Sequence, residues 1–212
     1  MSSLSVIYVT ANREDEAFER KIQERLLEVS GDHPVISVSQ KPVDVGVNVC
    51  LGDIGYSYRH AHVQILVGAL TAETEWVAIA ESDQLYPPGY FDFEPDPDPA
   101  GPDVYMFEGL WILRHWDPEH FRAKEWGGWT TISRRKFLID RLCFQLGRHR
   151  THTLGEIFKK KTWERFAVGL PMVSVKTPAN LSRTTGTILG SDVKELPHWG
   201  KAIDLSMSLG LA

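Results

Sequence analysis

Residues 76–91 read WVAIAESDQLYPPGYF. Five apolar residues run without alternation into Glu81, Ser82 and Asp83. A continuous apolar run suits a strand covered on both faces of a parallel sheet, and such strands deliver ligand-binding groups at their carboxyl ends. If strand geometry persists to Asp83, the period of two points Glu81 and Asp83 the same way. Two hard oxygen donors on one side suit Mn²⁺ or Mg²⁺, which also takes oxygens from a diphosphate. Further candidates lie downstream. Trp126 and Trp129 flank a Gly-Gly pair, as core residues or as a stacking platform for a sugar or a base. His149 and His152 are three apart but have no third ligand nearby, so they are not read as a metal pair.

Positioning these groups requires an α/β framework. Leu4 to Thr10 is rich in β-branched residues and reads as a first strand. Glu14 to Val29 reads as a helix, with Phe18, Ile22, Leu26 and Val29 on one face and acids in its first turn. Pro34 to Val38 is a second strand, which makes a right-handed βαβ unit. Its two exit loops, Thr10-Ala11-Asn12-Arg13 and Ser39-Gln40-Lys41-Pro42, then lie close together. In them Asn12 suits a base edge, and Arg13 or Lys41 a phosphate. Asp44 to Tyr58 is glycine-rich and reads as a loop near a ligand, yet it holds neither a phosphate-binding P-loop nor a dinucleotide fingerprint. A helix over about 56–73 buries Val63, Leu66, Val67 and Leu70, with Arg59 in its first turn. Residues 93–103, FEPDPDPAGPD, exclude helix and central strand and predict an exposed loop beside the site or a disordered flap. Val104 to Arg114 is strand material bent at Gly109, and Ser133 is the expected N-cap of a helix over about 134–146.

Composition narrows the class. The 212 residues, 42% hydrophobic and 24% charged, fit a soluble globular domain. No run of 18 apolar residues occurs, no basic leader precedes the first strand, and the two cysteines cannot build a disulfide framework. A cytoplasmic protein is expected. The net charge of −5 is uneven: residues 134–183 hold 12 Lys/Arg against three acids, a local +9, while the remainder carries −14. Such asymmetry points to an acidic partner or to solvated helix faces.

The segment Gly55-Tyr56-Ser57-Tyr58-Arg59-His60, the long apolar helix, the apolar strand and Glu81-Ser82-Asp83 together resemble the nucleotide-sugar glycosyltransferases of the GT-A fold. That family has a small-Ser-small-Arg-Asn helix entry and an Asp-x-Asp metal motif. Here Glu81 replaces the first Asp and His60 the Asn, and the helix is longer. The likeness covers roughly residues 4–91. It implies donor contacts from Thr10, Asn12, Arg13, Gln40, Lys41, Ser57 and Arg59, and a metal held by Glu81 and Asp83. In several members a late His joins the metal, which implicates His198, with Lys201 beside the diphosphate. Gly127 to Arg135 looks like the family's acceptor-side stretch. Glu156, some twenty residues past the Arg134-Arg135 pair, stands where inverting members carry the general base; it is equally a helix first-turn acid favoured by the dipole.

The expectation is one α/β domain over residues 1–212, GT-A-like (Rossmann-like), with a mostly parallel central sheet flanked by helices. Its donor half would be 1–91 and its acceptor half 104–212. It would transfer a sugar from a nucleoside-diphosphate donor, UDP-sugar first, to a phosphate-bearing acceptor: a glycan, a lipid-linked glycan or a hydroxymethylated base in DNA. The alternatives are a sugar nucleotidyltransferase, against which the short glycine-free Thr10–Arg13 loop argues, and a nucleic-acid-binding module built on residues 134–183.

Overall fold

The computed structural model describes residues 3–125, 129–147, 163–181 and 188–211. Strand β1 (Leu4–Thr10) is buried throughout, as a sheet-centre strand must be. Helix α1 (Glu16–Ser30) starts on Asp15, whose carboxylate accepts from Ala17 N and Phe18 N at 3.0 and 3.1 Å. Phe18, Ile22 and Leu26 face inward as their spacing predicts. Glu19 is buried beside them, where it accepts the Tyr8 hydroxyl at 3.0 Å. Strand β2 (Val35–Ser39) pairs in parallel with β1. Strand β3 (Val47–Cys50) adds a parallel edge inside the stretch read as loop. It is short and partly exposed, so it carries little of the apolar pattern by which strands are recognised.

Helix α2 (Tyr58–Thr71) packs on a face rotated from the one predicted. His62, Gln64, Ile65, Gly68 and Ala69 are buried; of the predicted face, Leu66 and Val67 are half-buried against the core and Leu70 is 60% exposed. A Cβ on Gly68 would lie 2.3 Å from Ile7 Cγ2, so the small residue lets the helix settle onto the sheet there and leaves Leu70 outside. Strand β4 (Trp76–Glu81) lies beside β1 in parallel. Strand β5 (Gln84–Leu85) leaves it for a second sheet.

Beyond these come β6 (Val104–Phe107), β7 (Leu110–Arg114), β8 (Asp117–Lys124), β9 (Thr131–Arg134), α3 (Arg135–Gly147), β10 (Trp163–Phe166), β11 (Met172–Lys176), β12 (Ile188–Val193), β13 (Glu195–Leu196), β14 (Gly200–Lys201) and α4 (Ala202–Leu209). The large sheet has the order β10-β6-β9-β4-β1-β2-β3, and β9 alone runs against its neighbours. The second sheet has the order β12-β8-β7-β11-β5. The architecture is thus α/β with a large, mostly parallel sheet flanked by helices, as the sequence implies. Gly109, at φ 95°, carries the chain from β6 in one sheet to β7 in the other.

Two further expectations are corrected. Ser133 lies inside β9, before α3, and caps nothing. The 93–103 loop lies at the end of the large sheet opposite Glu81: Arg134 Nη2 holds its Asp96 and Asp98 carbonyls at 3.2 and 2.6 Å. Arg134 pairs with Trp76, the first residue of β4, a full strand length from Glu81.

Candidate functional site

The site lies where the large sheet ends and the second begins. Strand β4 stops at Glu81, and Ser82-Asp83 form a turn into β5. Strand geometry does not reach Asp83. The two carboxylates are brought together by the turn between sheets, where Val175 N donates to Asp83 O at 2.7 Å and fixes β11 alongside. Lys176, the last residue of β11, then lies against them. Its ammonium donates to Asp83 Oδ2 at 3.4 Å. The side chain of Lys124, the last residue of β8, makes no hydrogen bond or ion pair with the described residues, but it feels the charges of Lys176, Glu81 and Asp83. Register puts Lys124 opposite Leu110 and Lys176 beside Arg114. These positions are four residues apart along β7, so period two directs both lysines to one face of the second sheet.

A short strap completes the cluster. Asn180 Oδ1 accepts Thr177 N at 2.8 Å, which orients its amide group. Asn180 Nδ2 donates to Asp83 Oδ2 at 2.9 Å and to Glu14 Oε1 at 3.3 Å. The Thr177 hydroxyl donates to Glu14 Oε2 at 2.7 Å. Tyr56 bonds across to the carbonyl of Ala179, and the Arg13 guanidinium lies 5.7 Å from its ring centre. Three acids, Glu14, Glu81 and Asp83, therefore share one crevice with two lysines.

Their protonation follows from burial and charge. Burial raises the Glu81 carboxyl, and the neighbouring Asp83 adds to this, up to about 8 despite Lys176 and Lys124. Glu81 also accepts Gln84 Nε2 at 2.5 Å. Burial raises Glu14 to about 7; the Thr177 hydrogen bond opposes this, and the charge of Asp83 adds to it. Burial raises Tyr56 to about 12 with help from Glu14 and Asp83. Burial pushes Lys176 down, but Asp83 and Glu81 outweigh it and hold the group above its ordinary value. Burial lowers Lys124, and Lys176 lowers it further.

The donor set fits a divalent cation. Two carboxylates offer hard oxygens side by side, close enough that the charge of Asp83 adds to burial in raising Glu81. No group of three or more His, Cys, Asp or Glu side chains poised for a metal occurs among the described residues. An ion at Glu81 and Asp83 would take its remaining oxygens from substrate and water.

The other predicted residues fall in several places. Thr10, Asn12, Arg13, Gln40, Lys41 and Ser57 belong to loops at this end of the sheet, but several already have structural roles. Asn12, at φ 51°, accepts Gln40 N at 3.0 Å and Lys41 N at 2.8 Å, which joins the β1 and β2 exit loops. Thr10 Oγ1 accepts Asn12 N at 2.9 Å. Gln40 Nε2 donates to Gly55 O at 2.6 Å, and Ser57 caps α2. Arg13 and Lys41 are exposed at the rim. Arg59 does not face the crevice as a free cation; it donates to Leu146 O at the end of α3 at 3.1 Å, where the helix dipole favours a cation.

His198 and Lys201 are not brought to the carboxylates. His198 Nε2 lies 2.5 Å from Arg25 Nη2, about 14 Å along α1 from Glu16, where the helix starts, at the helical rise. The neighbouring Trp199 donates to Pro171 O at 2.6 Å, before the start of β11, whereas Lys176 ends that strand. Burial and Arg25 lower the His198 imidazole. Lys201 pairs with Glu195 across β13–β14 and is exposed. Trp129 packs edge-on against His62 at 5.3 Å, over the α2–α3 layer. Trp126, Glu156, His149, His152 and Lys159 to Lys161 lie outside the described residues.

Sequence reasoning missed Glu14, Lys124, Lys176, Thr177 and Asn180. One signal was available: MVSVK, like WVAIAE, is an apolar strand ending on a charge.

Fold and site together define a GT-A-like α/β domain with an acidic crevice at the junction of two sheets. It is similar to the Staphylococcus aureus TarS 1–349 structure in complex with UDP-GlcNAc, at 13% identity and a TM-score of 0.52, covering 84% of this chain and 59% of that one. It is also similar, at a TM-score of 0.49 and 9% identity, to a glycosyltransferase involved in glycosylation of the major capsid of PBCV-1, covering 80% of this chain and 92% of that one. A nucleotidyl transferase from Methanothermobacter thermautotrophicus matches at 0.41 and 13% identity, covering 68% of this chain and 82% of that one. The chain spans about half the length of the first solved structures it matches. No protein-family model and no curated protein matches the chain.

Proposed function

We propose that this protein is a metal-dependent glycosyltransferase moving a sugar from a nucleoside-diphosphate donor to an acceptor hydroxyl. The observation that carries the reading is the half-buried Glu81 beside the buried Asp83 at the carboxyl end of β4, in a crevice rimmed by the β1 and β2 exit loops. A protein of the same fold was solved with UDP-GlcNAc, which favours a UDP-sugar here.

Glu81 and Asp83 would hold Mn²⁺ or Mg²⁺. When bound, that ion supplies neutralising charge for the leaving diphosphate. Arg13 and Lys41 at the rim suit phosphate or ribose. The bond from the sugar anomeric carbon to the diphosphate oxygen breaks, and the diphosphate leaves with the electron pair. The acceptor oxygen forms the new bond, and Glu156 is the proposed acceptor of its proton. The +9 segment and Lys124, which lies near Lys176 at the site, favour a phosphate-bearing acceptor, whether a glycan, a lipid-linked glycan or modified DNA.

The Lys124–Lys176 pair also favours a second reading, sugar nucleotidyl transfer, because a triphosphate substrate needs cations beside its metal. One experiment separates them: UDP-sugars with Mn²⁺ are assayed for UDP, and UTP with sugar 1-phosphates for diphosphate. UDP release supports the glycosyltransferase; diphosphate release without UDP release overturns it.

A further inference from the structure

Asp83 is already engaged by a cation of the chain itself. Lys176 is only 9% exposed, and its ammonium is directed to Asp83 Oδ2. At 3.4 Å that bond is longer than the usual 2.7–2.9 Å of an ammonium–carboxylate contact, while Asn180 takes the same oxygen at 2.9 Å. Lys176 is thus paired loosely, and its backbone is fixed, since it ends β11 and its carbonyl accepts His115 N at 3.0 Å. What remains free to move is a four-carbon stem. A divalent ion at the same carboxylates would repel the ammonium at close range. The ammonium then needs a new anion within the reach of its stem, and the described acids around it are engaged: Glu81 would be on the metal, and Glu14 is held by Thr177 and Asn180.

We propose that Lys176 holds the place of the metal at Asp83 in the free protein and passes to the donor diphosphate when metal and nucleotide enter. This rests on the metal-dependent reading above. It makes the two ligands cooperative: metal alone must displace a buried ammonium with nowhere to go, whereas metal with UDP supplies the phosphate that receives it. Lys124, which makes no bond to Asp83, has no such role, although its charge also acts on the site.

The test is Mn²⁺ binding read by electron paramagnetic resonance of the free ion, and UDP binding by calorimetry with and without Mn²⁺. The proteins are wild type, Lys176→Met, Lys176→Arg and Lys124→Met, each checked for fold by circular dichroism. Lys176→Met should bind Mn²⁺ alone at least about fivefold more tightly than wild type, and the factor by which Mn²⁺ strengthens UDP binding should fall at least about fivefold, within the usual range of coupling between sites. Lys176→Arg should stay near wild type in Mn²⁺ affinity, and Lys124→Met should shift it less than Lys176→Met. If Lys176→Met does not fold, Lys176→Gln, which keeps a donor toward Asp83 without charge, carries the same two expectations. Unchanged or weaker Mn²⁺ binding on loss of the charge overturns the placeholder role, and an undiminished strengthening of UDP binding by Mn²⁺ in Lys176→Met overturns the transfer to phosphate. Wild-type protein that binds no Mn²⁺ even with UDP overturns the metal reading itself, a result visible before any variant is made.

Discussion

Asp83 is the residue on which most of the crevice converges: Lys176, Asn180 and the charge of Glu81 all meet its carboxylate. Asp83→Asn keeps its shape and removes its charge. UDP release from a UDP-sugar should fall at least about 100-fold, the scale of losing one charge-stabilising group, with the circular dichroism spectrum unchanged. Turnover within a few-fold of wild type would remove Asp83 from the chemistry.

Glu14 makes a pH prediction. Its folded-state carboxyl is raised to about 7, above the ordinary value of 4.5. The folded state therefore binds more protons than the unfolded chain between those values, and stability is lost as pH rises through them. In metal-free protein the melting temperature should fall between pH 5 and pH 8. Glu14→Gln, which keeps an oxygen to accept from Thr177, should flatten that fall. An equally steep profile in the variant would assign the effect to Glu81, whose carboxyl is raised to about 8.

At the scale of elements, the crevice depends on loops tied to one another more than on any one side chain. Asn12 joins the β1 and β2 exits through two backbone N–H groups while holding a left-handed backbone. Asn12→Gly keeps that backbone accessible and deletes both bonds. It should lower stability in urea denaturation by about 1–3 kcal/mol, the cost of leaving such donors unpaired. A change under about 0.5 kcal/mol would mean that the loops hold together without it. Helix α2 depends on Gly68. Gly68→Ala would press a methyl into Ile7 and should cost about 1–3 kcal/mol by overpacking, measured in the same way. An Ala variant as stable as wild type would show that α2 can slide outward freely.

For the whole molecule, the second sheet needs α4 as its cover. Leu209 and Ala202 are buried in one cluster with Phe18, Ile22, Leu113, Phe121 and Val173, and Lys21 Nζ donates to Ser208 O at 2.5 Å. Deleting residues 202–212 uncovers that cluster. Each buried aliphatic side chain contributes about 1.5–3 kcal/mol, so the loss approaches the whole stability of an ordinary domain. The truncated chain should be insoluble or should bind a hydrophobic dye strongly. A soluble protein with cooperative melting would show that the sheet is covered some other way. No helix among the described residues is long and apolar enough to cross a membrane.

Strands β1, β2 and β4 and helix α1 are legible in the residues nearly to their ends, because each follows a local rule: continuous apolar runs for buried strands, spacing of three and four for a helix against the sheet. The same rules placed Glu81 at a strand end and a bend at Gly109. They failed where no local period exists. The exposed face of α2 was misjudged because close approach at Gly68, a property of two elements, outweighed the size of Leu70. Ser133 resembled a cap because β9, which uses it, is made only by pairing with β4 and β6. Only the tertiary structure put Lys176, Asn180 and Glu14 around Asp83. These residues are 93, 97 and 69 positions from it along the chain, and no periodicity relates them. Their meeting is decided by the pairing of β11 with β5 and β7 and by the turn of the chain from one sheet to the other. The same long-range packing, not the spacing of residues, holds His198 beside Arg25 and away from the carboxylates.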